Sequence, residues 1–195
     1  MRGAMTRAFP SVPASDPPLD PHQPWVFGYG SLMWRPGFAF VERTPAQLAG
    51  FSRDMCLTSI HYRGTAEAPG MVCGLSPGGV CRGVAFRVAP EALADVIAYL
   101  DRRELISYIY LPRHLPVTLA DGRRVVARTY VPDATHAQFV GGWSDAEKAR
   151  HIAQGVGSEG SSLDYLANIV AHLRELDIAD ARLESLLAQA RAARA

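Results

Sequence analysis

The sequence predicts an α+β fold: a mixed, mostly antiparallel sheet or small barrel that carries packed α-helices. Two observations support this class. From Trp25 to about Val131, short apolar or alternating runs are separated by turns that contain glycine or proline, which is typical of strands. After Trp143, apolar residues recur instead at the spacing of a helix face. Strands that come first and helices that come later therefore indicate an α+β architecture.

The length and charge of the chain indicate how many domains it has and which classes of protein it does not resemble. It has 195 residues and a formal net charge of +1, which fits one domain with a packed core. We expect residues 1–24 to be a proline-rich, flexible lead and residues 25–195 to be a single domain with a helical C-terminal part. The scattered arginines form no basic stripe for nucleic acid, and no apolar run approaches the roughly 18 residues of a membrane span. The oligomeric state stays open.

Cysteine usage indicates the compartment. Cys56, Cys73 and Cys81 are an odd set without CxxC spacing, which argues against a disulfide framework and against a zinc site. We interpret them as buried free thiols in a reducing cytoplasm. The histidines likewise show no HExxH or other metal-ligand spacing, so no metal site is expected.

Apolar runs on either side of turn residues predict the strands. Residues 25–30 are a short apolar run that ends in glycine, which indicates a buried strand. Asp121 and Gly122 are a strong hairpin signal. The other predicted strands are residues 38–48 and 51–57 about Gly50, residues 71–75 and 80–88 about a turn at 76–79, and residues 110–119 and 124–131 about the hairpin turn.

One helix interrupts these strands. Pro90 occupies a first-turn position, where its missing N–H costs nothing, and Glu91 follows near the positive end of the helix dipole. Apolar residues then recur at i, i+3, i+4 and i+7, which predicts a helix packed on a core. These residues are Leu93, Val96, Ile97 and Leu100.

The C-terminal part is predicted to be helical. Ser144, with Glu147 three residues later, has the spacing of a capping box. A break rich in glycine and serine follows at residues 155–162. A longer helix then begins near Leu163, and a last helix begins at about Ala179. Their apolar faces are Leu166, Ile169, Val170 and Leu173 in the longer helix, and Leu183, Leu186 and Leu187 in the last.

The stretch Gly28-Tyr29-Gly30-Ser31 is the first candidate for chemistry. A dinucleotide-binding fingerprint needs a third glycine at the start of a helix, but here position 33 is Met. Two glycines in a turn at a strand end still expose backbone N–H groups, which hold anions such as carboxylates. Ser31 adds a hydroxyl donor and Tyr29 another. The alternative is a tight turn that only packs.

Glu104 is the second candidate. The apolar stripe of the predicted helix continues at i+4 from Leu100 to this residue. If the helix persists, a carboxylate reaches the buried face near the negative helix end, where its pKa rises and it can exchange a proton near neutral pH. In the alternative, the helix stops at Asp101 and Glu104 pairs with Arg102, Arg103 or Arg63.

The loop at residues 59–70 is the third candidate. Arg63 lies there with His61, Tyr62 and Thr65, and its two-pronged guanidinium suits a substrate carboxylate. A solvated loop is the alternative. A nucleophilic Cys56 with His61 is a further alternative, whereas Ser31 lies outside the G-x-S-x-G pattern of serine hydrolases.

Taken together, the segments WVFGYGSLMWRPGF, RDMCLTSIHYRGTAEAPG, YLDRRELISYIYLP and SLDYLANIVAHLRELDIADARL occur in one order. In this order the sequence resembles the ChaC family of glutathione-specific γ-glutamylcyclotransferases, from about Trp25 to about Leu187. The resemblance implies a reaction without cofactor in which the γ-glutamyl α-amine attacks its own side-chain amide. The products are 5-oxoproline and cysteinylglycine.

The resemblance also implies roles for particular residues. Glu104 matches the catalytic glutamate of the family, and the substrate-binding loop matches Tyr29, Gly30, Ser31 and Leu32. Tyr110 matches a tyrosine that hydrogen-bonds the substrate or orients the glutamate. Arg63 matches the arginine of the second loop, and we infer from its charge that it contacts the glycyl carboxylate.

Three positions depart from the family pattern. Ser162 stands where family members often carry Asn before the long helix, and both residue types cap helices. Asp177 stands where Gly is common. Tyr62 replaces a frequent His before Arg-Gly, nearest the predicted pocket, and bears on substrate preference.

Three functions fit the sequence. The first is cleavage of glutathione, the second is the same reaction on another γ-glutamyl amine or peptide, and the third is binding without catalysis. The presence of both the Tyr29–Leu32 loop and Glu104 disfavours the third function, because a binding protein has no need of a buried proton carrier.

Overall fold

The computed structural model describes residues 16–105 and 108–194, so residues 1–15 of the predicted lead lie outside the described residues. Over this part of the chain, the strands pair into one barrel and one small hairpin. The strands are β1 (Trp25–Gly28), β2 (Glu42–Ser59), β3 (Gly70–Arg87), β4 (Tyr110–Leu119), β5 (Arg124–Pro132), β6 (Val156–Gly157) and β7 (Gly160–Ser161).

The barrel closes in the order β1-β3-β2-β4-β5. Strands β2 and β3 pair antiparallel over almost their whole length, and β4 pairs antiparallel with β5. Two short seams complete the barrel. One is parallel and joins β1 to β5 at Trp25–Ala127 and Val26–Arg128, and the other joins β2 to β4 at Ala46–Leu119 and Gln47–Thr118. The predicted small, mostly antiparallel barrel is therefore confirmed.

The predicted turn at residues 76–79 is wrong. Strand β3 runs straight through it beside β2, and the pairing register shifts between Ala49 and Phe51. Gly50, Gly78 and Gly79 have φ values of +84°, +91° and +80° at this shift. Glycine takes such left-handed values at little cost, so these residues form a bulge that bends two long strands. Gly50 likewise does not divide two strands, and residues 38–41 precede β2.

The barrel interior is apolar and closely packed. Side chains that alternate along the strands are withdrawn from solvent, and their burial is the main favourable term in folding. All three cysteines are free and buried, as predicted. The largest fully buried barrel residues are Trp25, Phe27, Leu48, Met55, Leu57, Met71, Leu75 and Phe86.

The described helices pack against the barrel and against each other. No helix in the described ranges is both long and apolar enough to cross a membrane. After a 3-10 turn at Pro90–Ala92, the first helix buries Val96 and Leu100 on Val26 and Val88, as the sequence predicts. The helices are α1 (Leu93–Glu104), α2 (Asp145–Gln154), α3 (Ser162–Glu175) and α4 (Ala181–Arg194).

The start of α3 corrects one prediction. Ser161, not Ser162, is the N-cap, and its hydroxyl accepts from the backbone N–H of Asp164 at 3.0 Å. Ser162 is fully buried, and its Oγ bonds both the N–H and the carbonyl of Met71 at 2.9 and 2.8 Å. Ser162 therefore joins α3 to β3. The capping box of Ser144 and Glu147 at α2 is confirmed.

A buried ion pair joins α2 to the barrel. Nζ of Lys148, the one lysine of the sequence, lies 2.8 and 2.9 Å from the two carboxylate oxygens of Asp54 on β2. Their side chains are 0% and 2% exposed. Ser76 donates a further hydrogen bond to the same carboxylate at 2.8 Å. Because both charges are paired and hydrogen-bonded, their burial is tolerated.

The described end of the lead is held by β4. The Asp16 carboxylate accepts from Nε of Arg113 and from the backbone N–H of His114, each at 2.8 Å. The Arg113 guanidinium lowers the pKa of Asp16. Pro24 accepts a backbone hydrogen bond from Val88 at 2.9 Å, immediately before β1 begins.

Candidate active site

A pocket opens where β1 and β5 separate. Their backbone pairing ends at Val26–Arg128, and side chains bridge the gap beyond it. Thr129 Oγ1 donates to the Phe27 carbonyl at 3.0 Å. The pocket contains about 350 Å³ of space, part of it open to solvent. It is lined by Phe27, Tyr29, Gly30, Ser31, Leu32, Cys73, Glu104, Tyr110, Tyr130 and Tyr165.

The predicted substrate-binding loop forms one wall. After β1 the chain turns into a 3-10 helix at Ser31–Met33, closed by a bond from the Met33 N–H to the Gly30 carbonyl at 2.9 Å. A Cβ at Gly28 would lie 2.8 Å from Cβ of Leu32, so this turn requires glycine. Within the described ranges, the N–H groups of Gly30, Ser31 and Leu32 have no protein acceptor. The wall therefore offers three backbone donors, as the first N–H groups of any helix do.

A buried arginine holds this loop from beneath. Nε of Arg53, on β2, donates to the Tyr29 carbonyl at 2.6 Å. Its other nitrogens bind the Arg82 carbonyl and, at 3.3 Å, the Asp180 carboxylate before α4. The residue is only 5% exposed, so its charge depends on these partners. Sequence reasoning missed Arg53, because nothing in the sequence separates it from the other scattered arginines.

Glu104 is the last residue of α1, so the predicted helix does persist to it. The carboxylate faces the pocket and is largely buried, and this desolvation raises its pKa. The Arg103 guanidinium opposes the rise, with Nε 3.2 Å from Oε1 of Glu104. The stripe and the ion pair, which the sequence posed as alternatives, both occur. Burial is the larger influence on the carboxyl group.

The tyrosines that line the pocket differ in the hydrogen bonds that their hydroxyl groups make. Tyr29 donates to the Tyr130 carbonyl at 2.7 Å, and Tyr110 donates to the Cys73 carbonyl at 2.6 Å. The Tyr29 hydroxyl proton is therefore engaged within the protein, and the predicted contact of Tyr29 with a ligand stays a prediction. The Tyr165 oxygen instead accepts from the Cys73 N–H at 3.3 Å, so its own proton is available.

Tyr165 and Tyr130 were not predicted from the sequence. Tyr165 lies on α3 next to Leu166 of the apolar stripe. An aromatic residue with a polar hydroxyl at this position was the signal in the sequence that could have identified it. Burial raises the pKa of the Tyr29, Tyr110 and Tyr165 phenols well above the ordinary value, so all three stay neutral.

Arg63 does not line the pocket. Its guanidinium carbon lies 5.1 Å from the ring centroid of Tyr165, and Nη1 donates to the Glu159 carbonyl. The residue is thus separated from the pocket by one aromatic ring. The neighbouring Tyr62 side chain is exposed, and it too is absent from the pocket lining.

The cysteines do not form a nucleophilic site. Burial raises the pKa of Cys56 to about 12, which disfavours its thiolate, whereas His61 is exposed. Cys73 does line the pocket, and burial raises its pKa well above the ordinary value too. Across residues 16–105 and 108–194, no three His, Cys, Asp or Glu side chains are grouped to hold a metal ion.

Comparisons with known proteins agree on one relationship. A family model described as ChaC-like protein matches residues 24–193. A glutathione-specific γ-glutamylcyclotransferase of Escherichia coli (strain K12) is 37% identical over 163 residues, which are 84% of this chain and 71% of that protein. Glutathione-specific γ-glutamylcyclotransferase 1 of Homo sapiens is 30% identical over 154 residues, covering 77% of this chain and 69% of that protein.

A solved structure shares the fold. The crystal structure of a γ-glutamyl cyclotransferase specific to glutathione from yeast superposes with a TM-score of 0.81 at 26% sequence identity. The superposition covers 89% of this chain and 97% of the yeast chain.

Proposed function

The chain belongs to the family of ChaC-like proteins, and on that premise we propose that it cleaves glutathione by cyclising the γ-glutamyl group. The products would be 5-oxoproline and cysteinylglycine. Relatives from bacteria to human carry the name of this activity, and the resemblance extends over most of the chain. One structural observation supports the proposal above the others: Glu104 and the Gly30–Leu32 backbone line the same pocket.

The proposed reaction is an intramolecular substitution at an amide carbon. The α-amine nitrogen of the glutamyl group attacks its own side-chain carbonyl carbon, and the bond from that carbon to the cysteinyl nitrogen breaks. Because both reacting groups belong to one molecule, holding the folded conformer supplies much of the rate. A small pocket walled by aromatic rings suits this task.

Glu104 is the proposed proton carrier. The α-ammonium must lose a proton before its nitrogen can attack, and the leaving nitrogen must gain one. A single carboxylate can accept the first proton and deliver the second. The raised pKa of Glu104, caused by burial, brings the group closer to the pH at which such an exchange is efficient.

The loop is proposed to hold negative charge. The N–H groups of Gly30, Ser31 and Leu32 would bind the α-carboxylate of the substrate or the oxyanion that develops on the attacked carbonyl. The Ser31 hydroxyl can also donate, because its oxygen already accepts from Arg103. The Tyr110 oxygen can accept from the substrate, although its proton is committed to Cys73.

Arg63 and Tyr165 are proposed to face the leaving end of the substrate. The glutamyl part would occupy the pocket between Glu104 and the loop, and cysteinylglycine would extend past Tyr165 toward the Arg63 guanidinium. Arg63 donates one N–H to the Glu159 carbonyl, and its other N–H groups could bind the glycyl carboxylate.

We also propose a cytoplasmic location, supported by three buried cysteines without a disulfide.

A product assay tests the proposed function. Purified protein is incubated with reduced glutathione, and 5-oxoproline and cysteinylglycine are quantified by mass spectrometry. We expect both products in equal amounts. If no 5-oxoproline forms at high enzyme concentration, cleavage of glutathione is contradicted.

The second candidate is the same reaction on other γ-glutamyl amines or peptides. The observation in its favour is that Arg63 lies outside the pocket lining, so the lining itself offers no cation for a glycyl carboxylate. Parallel incubations with γ-glutamylalanine and oxidised glutathione separate the candidates. Turnover of γ-glutamylalanine at the rate of glutathione would favour the broader activity.

A further inference from the structure

Arg103 connects the two halves of the candidate site. Its Nη2 lies 2.9 Å from Oγ of Ser31, in the loop. Its Nη1 lies 2.7 Å from the Arg35 carbonyl and 3.3 Å from the Pro36 carbonyl, in the chain just after the loop and its 3-10 turn. On its other edge, Nε lies 3.2 Å from Oε1 of Glu104. One guanidinium thus contacts the Glu104 carboxylate, the loop and the chain that follows the loop.

The packing around this guanidinium limits its movement. Tyr99, one turn earlier on α1, places its hydroxyl 3.2 Å from Nη1 of Arg103. Gly37 has a φ of +75°, and a Cβ there would lie 2.0 Å from the Tyr99 hydroxyl. The chain after the loop therefore lies directly on the face of α1 that carries Arg103. The planar fork of arginine matches several acceptors at once, which a lysine ammonium cannot do.

We propose that Arg103 is a positioning residue of the reaction: it holds the Glu104 carboxylate in place relative to the loop backbone and keeps the Ser31 hydroxyl proton directed into the pocket. The second role follows because the Ser31 oxygen is occupied as an acceptor on the Arg103 side. This inference depends on the proposed function, since the reaction is what makes the positions of Glu104 and Ser31 matter.

The charge of Arg103 also acts on Glu104. The other titratable groups that line the pocket are Tyr29 from the loop, Tyr110 and Tyr130 from β4 and β5, Cys73 from β3 and Tyr165 from α3. Tyrosine and cysteine are neutral in their protonated forms, so Arg103 is the charge that favours the carboxylate against burial. Its removal should raise the pKa of Glu104 further.

Two variants separate the charge from the fork. Arg103→Gln removes both, and Arg103→Lys keeps a positive charge but cannot contact the Glu104, Ser31 and Arg35 oxygens at the same time. Arg102→Gln is the matched control, because it removes one positive charge from the exposed neighbouring position. Far-UV circular dichroism and urea denaturation establish that each variant is folded before it is compared.

The first readout does not require turnover. Glutamate labelled with ¹³C at its carboxyl carbon reports the titration of Glu104, assigned by its loss in Glu104→Gln. We expect the midpoint to move to higher pH in Arg103→Gln, and to stay near the wild-type value in Arg103→Lys and Arg102→Gln. An unchanged midpoint in a folded Arg103→Gln variant would overturn the inference.

The second readout is steady-state cleavage of glutathione across pH. We expect KM to rise by about tenfold in both Arg103 variants, the loss typical of one charge-assisted hydrogen bond. The acid limb of kcat/KM should move to higher pH in Arg103→Gln alone. The proposal that Arg103 is a positioning residue would be overturned if all variants had the same pH profile as the wild type, or if Arg103→Lys had the wild-type KM. A wild-type chain that forms no 5-oxoproline would instead contradict the proposed function, while the titration still decides whether Arg103 controls Glu104.

Discussion

At the scale of single residues, opposing influences on one carboxyl group define the candidate site. Burial raises the pKa of Glu104, and the adjacent Arg103 guanidinium lowers it. Burial is the larger influence, so the group is more basic than an exposed glutamate but can still ionise. A proton carrier near neutral pH needs such an intermediate state.

The sequence predicted the location of Glu104 because a helix repeats at regular intervals. Once Leu100 was placed on the buried face, position 104 followed from the i+4 spacing. The same reasoning could not find Tyr165, which reaches the pocket from α3, or Arg53, which holds the loop from β2, because both are placed by tertiary packing. The hydrogen bond of Tyr29 could not be predicted for a related reason, since the carbonyl that accepts its proton belongs to Tyr130, in another strand.

Replacement of Glu104 should separate catalysis from binding. Glu104→Gln keeps the size of the side chain but cannot accept a proton, so we expect 5-oxoproline formation to fall by at least about a hundredfold, the lower range for a general acid–base group. Binding of glutathione, measured by calorimetry, should remain. The control is Glu91→Gln, at an exposed position just before α1. Turnover within a few-fold of wild type would exclude the proton-carrier role.

At the scale of elements, the strands show where local patterns are ambiguous. A stretch such as Ser76-Pro77-Gly78-Gly79 is compatible with a chain reversal and with a bulge in a continuous strand. The neighbouring strand decides between them: β2 continues past this point and has its own left-handed glycine, Gly50, beside it. That pairing joins residues far apart in sequence, so the local pattern could not reveal it. The hairpin at Asp121 and Gly122 was predictable because short-range turn chemistry decides it.

The end of α3 carries an unfavourable residue. Ile178 N–H bonds the Leu173 carbonyl and Asp177 N–H bonds the Arg174 carbonyl, which is the Schellman arrangement that normally has glycine at its left-handed position. Asp177 occupies that position with a φ of +53°. The departure from the family pattern noted in the sequence therefore falls at a position with a conformational cost.

Substitution at position 177 should reveal this cost. We expect Asp177→Gly to raise the free energy of unfolding by about 0.5 kcal/mol, because relief from the left-handed penalty is partly offset by the flexibility of glycine in the unfolded chain. Asp177→Ala should lower it by about 0.5 kcal/mol, since alanine tolerates this conformation less well than aspartate. Urea denaturation of the three proteins measures both changes. A stabilised alanine variant would show that backbone conformation does not control this position.

At the scale of the whole molecule, charged groups buried between layers join the barrel to the helices. Lys148 and Asp54 connect α2 to β2, and Arg53 connects the pocket loop to Asp180 before α4. A buried pair of this kind adds little to stability compared with apolar side chains, but the loss of one partner leaves an unpaired charge. The sequence did not predict either contact, because the partners lie about a hundred residues apart.

The buried pair between α2 and the barrel makes a clear prediction for stability. Lys148→Met should lower the free energy of unfolding by about 3–5 kcal/mol, because Asp54 loses its main cationic partner. The double variant Asp54→Leu/Lys148→Met should regain at least half of this loss, since no charge is then left unpaired. Urea unfolding monitored by tryptophan fluorescence measures both. A double variant less stable than Lys148→Met would contradict the desolvation argument.

The burial of Lys148 also affects how the protein can be handled in the laboratory. Its ε-amine is the only lysine amine in the sequence and is fully enclosed. Acylating dyes, amine cross-linkers and lysine-specific proteases should therefore leave this side chain untouched in the folded protein and react with it only after α2 has separated from the barrel. The lysine is thus a built-in probe of that separation, and its rate of modification reports how often the two layers come apart.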